Sequence, residues 1–219
     1  MITNRTIATV MRTLREAAPS WSAPVVSQMA SLSRDPYLVL IACLLSLRTK
    51  DETTGPAARR LFALADTPEK MLTLTPARIE RAIYPVGFYK TKAQTVLDIS
   101  RVLVESYDGR VPDEIDELLI LKGVGRKTAN LVVTQGFHKP GICVDTHVHR
   151  ISNRWGYVQT KTPEETEMAL RAKLPPRYWI EINDLLVAMG QTICHPTSPK
   201  CSLCPIERSC AKVGVVRSR

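Results

Sequence analysis

The chain has 219 residues, 44% of them hydrophobic and 5% aromatic, and its 30 Lys and Arg outnumber 21 Asp and Glu for a formal charge of +9. That is enough chain for one large or two smaller cores, and the basic balance favours a polyanionic partner, nucleic acid or an anionic surface. It excludes a membrane span, because the longest apolar run, Tyr37 to Leu47, is far short of the roughly 20 residues a span needs.

The opening MITNRTIATVMRTLREA carries Arg5, Arg12 and Arg15 with no apolar secretory core. It reads as an amphipathic first helix, with a mitochondrial transit peptide as the weaker alternative. Without export, the six cysteines are expected as thiols in a reducing compartment, where clustering points to metal before disulfide.

Helix starts follow in the form of a capping residue and a proline, which tolerates the first helical position because its missing N–H has no partner there anyway. They are Asp35-Pro36, Thr67-Pro68, Thr75-Pro76 and Thr162-Pro163, the last with Glu165 placed for a capping box. Between these marks apolar residues recur at helical spacing, as in Ile79 and Ile83 or Val96, Ile99 and Leu103. No alternating strands are visible, so the fold is expected to be all-α. Tyr37 to Leu47 is apolar all round and should be a central buried helix, ending in polar residues that include Arg48.

The turn YPVGFYKT, Tyr84 to Thr91, sets Phe88 beside Lys90 and Lys92. Core packing is the plain reading of Phe88, and a loop setting among basic residues supports an exposed role instead. Asp113 to Leu121 is helical in pattern, Gly123 and Gly125 flank Val124 in a tight turn, and Arg126 to about Gln135 is helical again.

A helix start aims unpaired N–H groups and partial positive charge outward, which suits it to a phosphate oxygen. Lys127 lies in that first turn, where an amine can attack carbon. Asp145, before Thr146 and His147, is expected as the N-cap of the next helix and could serve as base or anion. Singly, each feature has an ordinary reading: a turn, a solvated lysine, a cap.

Four of the cysteines fall in the last 26 residues as Cys194-x6-Cys201-x2-Cys204-x5-Cys210. Such thiolates can converge on one centre with little chain to order, and the spacing alone leaves zinc and iron-sulfur both open. Cys43 and Cys143 lie among apolar residues and read as core.

Together, GVGRKTA, VDTH and the terminal cysteines resemble the endonuclease III family of helix-hairpin-helix DNA glycosylases over nearly the whole chain. The resemblance implies two helical lobes with a DNA-binding cleft between them. One is residues 29–139 with the helix-hairpin-helix at about 113–135. The other is 1–28 with 140–219, carrying a 4Fe-4S cluster loop at 194–210 on Cys194, Cys201, Cys204 and Cys210.

It further implies removal of oxidised pyrimidines from duplex DNA and lyase cleavage at the abasic site. Lys127 becomes the nucleophile and Asp145 its partner across the cleft. Gly123, Gly125, Arg126 and Lys122 are expected to hold phosphate, and Lys200 and Arg208 to reach DNA from the cluster loop. Arg48 and Phe88 stand where the family inserts residues into the duplex; Arg48 replaces a glutamine, Phe88 is larger than the usual leucine, and Lys122 replaces a common proline.

Three other readings are a monofunctional mismatch glycosylase of the same fold, a non-catalytic DNA-binding iron-sulfur protein and an electron carrier. Lys127 argues against the first, and the long basic helical body against the last. The expected setting is a monomer in a prokaryotic cytoplasm.

Overall fold

The computed structural model of the chain describes residues 1–21, 24–33 and 35–219, and among these it is helical with no strand. The helices run α1 Ile7–Ala17, α2 Val25–Ser33, α3 Pro36–Ser46, α4 Asp51–Leu64, α5 Pro68–Leu72, α6 Pro76–Ile83, α7 Tyr89–Tyr107, α8 Ile115–Leu118, α9 Arg126–Gly136, α10 Thr146–Arg154, α11 Pro163–Lys173 and α12 Glu181–Thr192. None among the described residues is long and apolar enough to cross a membrane. The chain divides into two compact units, Val25–Lys139 and a discontinuous one made of Met1–Pro24 with Pro140–Arg219.

The proline-marked helix starts form as the local chemistry dictates. Asp35 Oδ1 accepts the N–H of Tyr37 at 2.8 Å and of Leu38 at 3.4 Å. Thr67, Thr75 and Thr162 each accept the N–H three residues on, at 3.3, 3.3 and 3.2 Å. These bonds fill donors that a helix start cannot fill by itself. The capping box closes one residue early, since Glu165 Oε2 takes the N–H of Lys161 at 2.8 Å and not that of Thr162.

In the contiguous unit α3 is the centre. Tyr37 and every residue from Val39 to Leu45 are buried, and α2, α4, α7 and α9 pack around them. The Tyr37 hydroxyl shares a 2.7 Å hydrogen bond with Ser100 of α7, so the one phenol in this helix is satisfied inside.

The segment before the hairpin is shorter than its pattern suggests. Only Ile115–Leu118 is α-helical. Beyond it the N–H groups of Ile120, Leu121 and Val124 each reach back three residues, so the chain tightens into successive turns that Leu118, Leu121 and Val124 pin to the core.

In the discontinuous unit, α1 buries Ile7, Val10, Met11 and Leu14 with Val148 and Ile151 of α10 and with Ile182 and Leu186 of α12. Trp155 and Tyr157 are fully buried in the same core, and Cys194, Cys204 and Cys210 pack against it. The cysteine loop is thus seated on a preformed helical floor.

Candidate active site and cluster loop

The hairpin of the contiguous unit is anchored by burying α9 on all sides beyond its first two residues. Thr128, Ala129 and Asn130 through Thr134 face the interior. That leaves Arg126 half-buried and Lys127 exposed in the first turn. Asn130 Nδ2 donates to the Arg126 carbonyl at 3.1 Å and steadies that turn. Beneath Lys127, on α3, the Cys43 thiol is fully buried; burial pushes its pKa up to about 12 against an opposing pull from the Lys127 charge. It therefore stays a neutral core residue, and the amine has no thiolate rival nearby.

The two hairpin glycines do different things. Gly123 has φ +82°, and a Cβ there would stand 3.2 Å from Thr95 of α7, so both conformation and space favour glycine. Gly125 has φ −95° and ψ 173°, an extended conformation open to any residue, and nothing lies within 4 Å of where its Cβ would be. Its missing side chain leaves the start of α9 uncovered. Lys122 is exposed and pairs with Asp98 of α7 at 3.3 Å. Asp98 is held below the usual carboxylate range, first by its hydrogen bond from Gln94 and then by Lys122.

Arg48 and Phe88 also meet in this unit. Phe88 is 62% exposed, which rules out core packing for it. Arg48 follows the end of α3 and Phe88 precedes α7; both hold left-handed backbone, at φ +52° and +57°. For residues with a side chain that costs about 1–2 kcal/mol each. The Arg48 guanidinium lies 5.8 Å from the Phe88 ring centroid, a cation–π pair at the surface. Lys92, read from sequence as a flanking surface charge, is instead buried, with its ammonium turned inward.

In the discontinuous unit, Asp145 caps α10: its Oδ1 accepts from the N–H groups of His147 at 2.8 Å and Val148 at 2.9 Å. Oδ2 takes no part in either bond. The carboxylate is half-buried and fixed in direction by the helix it starts.

The other end of α10 holds the cysteine loop. Arg154, nearly buried, donates to Cys194 Sγ at 3.3 Å and to the carbonyls of His195 at 2.7 Å and Pro196 at 2.6 Å. Arg150, one turn earlier, donates to the Cys194 carbonyl at 2.8 Å and shares a 3.1 Å hydrogen bond with His147 Nδ1. Sequence reading missed both arginines. Their signal was the helical spacing of His147, Arg150 and Arg154 along one face.

Cys194, Cys201, Cys204 and Cys210 are free thiols and line one pocket, walled by Trp155, Met189, Ile193, Pro199 and Val215. Burial pushes Cys204 up to about 11, with the other three cysteines adding to the shift. The Lys212 N–H donates to Cys210 Sγ at 3.4 Å. Among the described residues no group of three or more His, Cys, Asp or Glu is placed to hold a metal ion as it stands. The donor set nonetheless fits a thiolate-bound centre: four sulfurs around one apolar pocket, two of them receiving hydrogen bonds. Lys200 lines the same pocket, and Arg208 is exposed on the loop.

The sequence matches the HhH-GPD superfamily, base excision DNA repair proteins, over residues 41–176. It is 50% identical over 176 residues to endonuclease III of Thermotoga maritima, covering 80% of this chain and 83% of that one. The chain belongs to the endonuclease III family. Endonuclease III of Escherichia coli is 35% identical over 175 residues, covering 80% and 83% of the two chains. Among solved structures, a trapped endonuclease III–DNA covalent intermediate superposes with a TM-score of 0.84 at 31% identity over 97% of each chain. Membership of the endonuclease III family makes the protein a DNA glycosylase and abasic-site lyase of base excision repair.

Proposed function

We propose that the protein removes oxidised pyrimidines, thymine glycol among them, from duplex DNA, with Lys127 as the nucleophile for both base release and strand cleavage. The observation that carries this reading is Lys127 itself, an exposed amine in the first turn of the helix after the hairpin. A monofunctional mismatch enzyme has no use for that amine.

The +9 chain would be drawn to the duplex by its phosphates. The uncovered start of α9 with Gly123, Gly125 and Arg126 receives a phosphate oxygen, aided by Lys122, and Lys200 and Arg208 contact DNA phosphate from the cluster loop. The Lys122–Asp98 pair is exposed and worth no more than about 1 kcal/mol, so Lys122 can exchange it for phosphate. The damaged base turns out of the stack at a cost of a few kcal/mol, least for a poorly stacked lesion. Arg48 and Phe88 enter the duplex as it leaves.

Lys127 Nζ then forms a bond to C1′ while the base departs with the electrons of the glycosidic bond and takes up a proton. Asp145, as carboxylate, offsets the positive charge that grows on the sugar and assists the proton transfers. The nitrogen sheds a proton, its lone pair then forms the protonated imine as the C1′–O4′ bond of the sugar ring breaks, and O4′ takes up a proton. Loss of a C2′ proton then breaks the bond to the 3′ phosphate, and water releases Lys127. The site of action is that of the substrate, the nucleoid of a prokaryotic cytoplasm.

The direct test offers the protein a duplex with one thymine glycol in the presence of borohydride. Base release with a covalent protein–DNA adduct supports the reading. Base release without an adduct would replace it with a monofunctional mechanism, and binding with neither would reduce the chain to a DNA-binding module.

Two glycine substitutions separate folding from DNA contact. Gly123→Ala should cost about 1 kcal/mol of stability or more, because φ +82° is strained for alanine, and should weaken duplex binding with it. Gly125→Ala, at the N-cap of α9, should lower the melting temperature by no more than about 2–4 °C yet weaken binding several-fold, by placing a methyl where the phosphate approaches. Thermal melts and a DNA titration at one salt concentration read both.

We further infer that Cys194, Cys201, Cys204 and Cys210 hold a 4Fe-4S cluster. When bound, it supplies metal–thiolate bonds that fix the loop and a centre capable of electron transfer. Arg154 and the Lys212 N–H stabilise the thiolate charge on two of the sulfurs. Cys204→Ser should lose most of its iron and acid-labile sulfide and weaken DNA binding through Lys200 and Arg208. Wild-type protein carrying zinc and no sulfide would overturn the assignment.

A further inference from the structure

Lys92 is almost fully buried in α7, yet among the described residues no carboxylate accompanies its ammonium. Its three N–H donors are all used: on the carbonyls of Leu45 at 2.8 Å and Leu47 at 2.6 Å, and on Thr49 Oγ1 at 3.2 Å. Burial lowers its pKa to about 8. A helix interior gains nothing from such a group, and an apolar side chain would fill the space at less cost. The reason for a lysine lies in what it grips.

The Leu47 carbonyl belongs to the peptide that leads into Arg48, and Thr49 is the residue that follows it. The ammonium therefore brackets Arg48 on both sides and holds it at φ +52°. Thr49 Oγ1 also accepts the N–H of Gly87 at 3.2 Å, and Gly87 immediately precedes Phe88. The two turns touch there: a Cβ on Gly87 would come within 2.8 Å of the Arg48 carbonyl oxygen. One amine thus secures two left-handed residues from different turns, whose side chains stack at the surface. Strained conformations of this kind persist where surrounding bonds over-determine them.

We propose that Lys92 is the positioning residue for the Arg48–Phe88 pair, a buried strut that ties the end of α3 to the turn before α7 so that both side chains enter the duplex as one preset unit. This rests on the reading of Arg48 and Phe88 as the residues that enter DNA. On that reading the strut matters where a partner strand must be held apart, and is dispensable where there is none.

The test uses Lys92→Met, which keeps most of the volume and removes all three donors. Three results are expected. The Gly87 amide exchanges with solvent at least ten-fold faster while amides in the middle of α7 keep their protection. Excision of thymine glycol from a fully paired duplex falls about ten-fold, with cleavage at an abasic site in single-stranded DNA unchanged. In an Arg48→Ala, Phe88→Ala background, Lys92→Met adds less than two-fold to the loss, as coupled residues do.

Unchanged Gly87 exchange overturns the strut, and so does equal loss on duplex and single strand with α7 deprotected, which would mark a merely structural lysine. If Arg48→Ala and Phe88→Ala each excise at the wild-type rate, the underlying reading fails instead, and those two variants show it without reference to Lys92. Should Lys92→Met not fold, Thr49→Val carries the test. It removes the hydroxyl that joins Lys92 to the Gly87 amide and that also donates to the Leu47 carbonyl, and leaves the ammonium on the Leu45 and Leu47 carbonyls. It should give the same duplex-specific loss at about three-fold, while no duplex-specific loss counts against the strut.

Discussion

Lys127→Gln is expected to abolish the borohydride-trapped adduct and to lower strand cleavage at an abasic site by about 10³-fold or more, the scale on which removal of a covalent nucleophile is felt. The substitution is a clean one. Lys127 is exposed in the first turn of α9, and glutamine has nearly the same helix propensity, so stability should move by less than about 0.5 kcal/mol. DNA binding should persist, because the hairpin backbone and Arg126 are untouched. Trapping, a melt and a binding titration on one preparation settle the point. An adduct that survives the substitution would assign the chemistry to another amine.

Asp145→Asn is expected to lower base release by about 10²–10³-fold while the protein folds normally. Asparagine is as good an N-cap as aspartate and can accept the same N–H bonds from His147 and Val148, now made at 2.8 and 2.9 Å. What it loses is the negative charge facing the developing sugar cation. Single-turnover excision measures the first quantity and thermal melting the second. A variant that released base at the wild-type rate would leave Asp145 with nothing beyond its cap.

Much of this was legible because it is local. Asp35, Thr67, Thr75 and Thr162 cap through bonds that span two or three residues, so sequence order already contains the geometry. The starts of α9 and α10, and with them the positions of Lys127 and Asp145, were readable for the same reason. The buried fates of Cys43 and Cys143 followed from apolar neighbours.

What sequence could not show is decided by partners far along the chain. Lys92 looks like any surface lysine beside Lys90 until its acceptors, more than forty residues earlier, are known. Arg154 reads as a solvated helix end, yet it grips Cys194 from forty residues away. Gly123 and Gly125 look symmetrical in sequence, yet only Gly123 has the positive φ that calls for glycine. The segment before the hairpin carried a helical pattern, and tight three-residue turns satisfied the same apolar spacing.

The order of synthesis gives the discontinuous unit a problem that the contiguous one lacks. The apolar stripe of α1, Ile7, Val10, Met11 and Leu14, finds its cover on α10 and α12, and Arg15 its ion partner in Glu181 at 2.9 Å. At 5–20 residues per second a ribosome needs roughly 10–35 s to make the intervening chain. Residues 25–139 can collapse within that interval, while the apolar stripe of α1 waits without its cover. An uncovered stripe of this kind invites a nascent-chain chaperone, and a substitution that weakens it would disturb the last step of assembly and not the first.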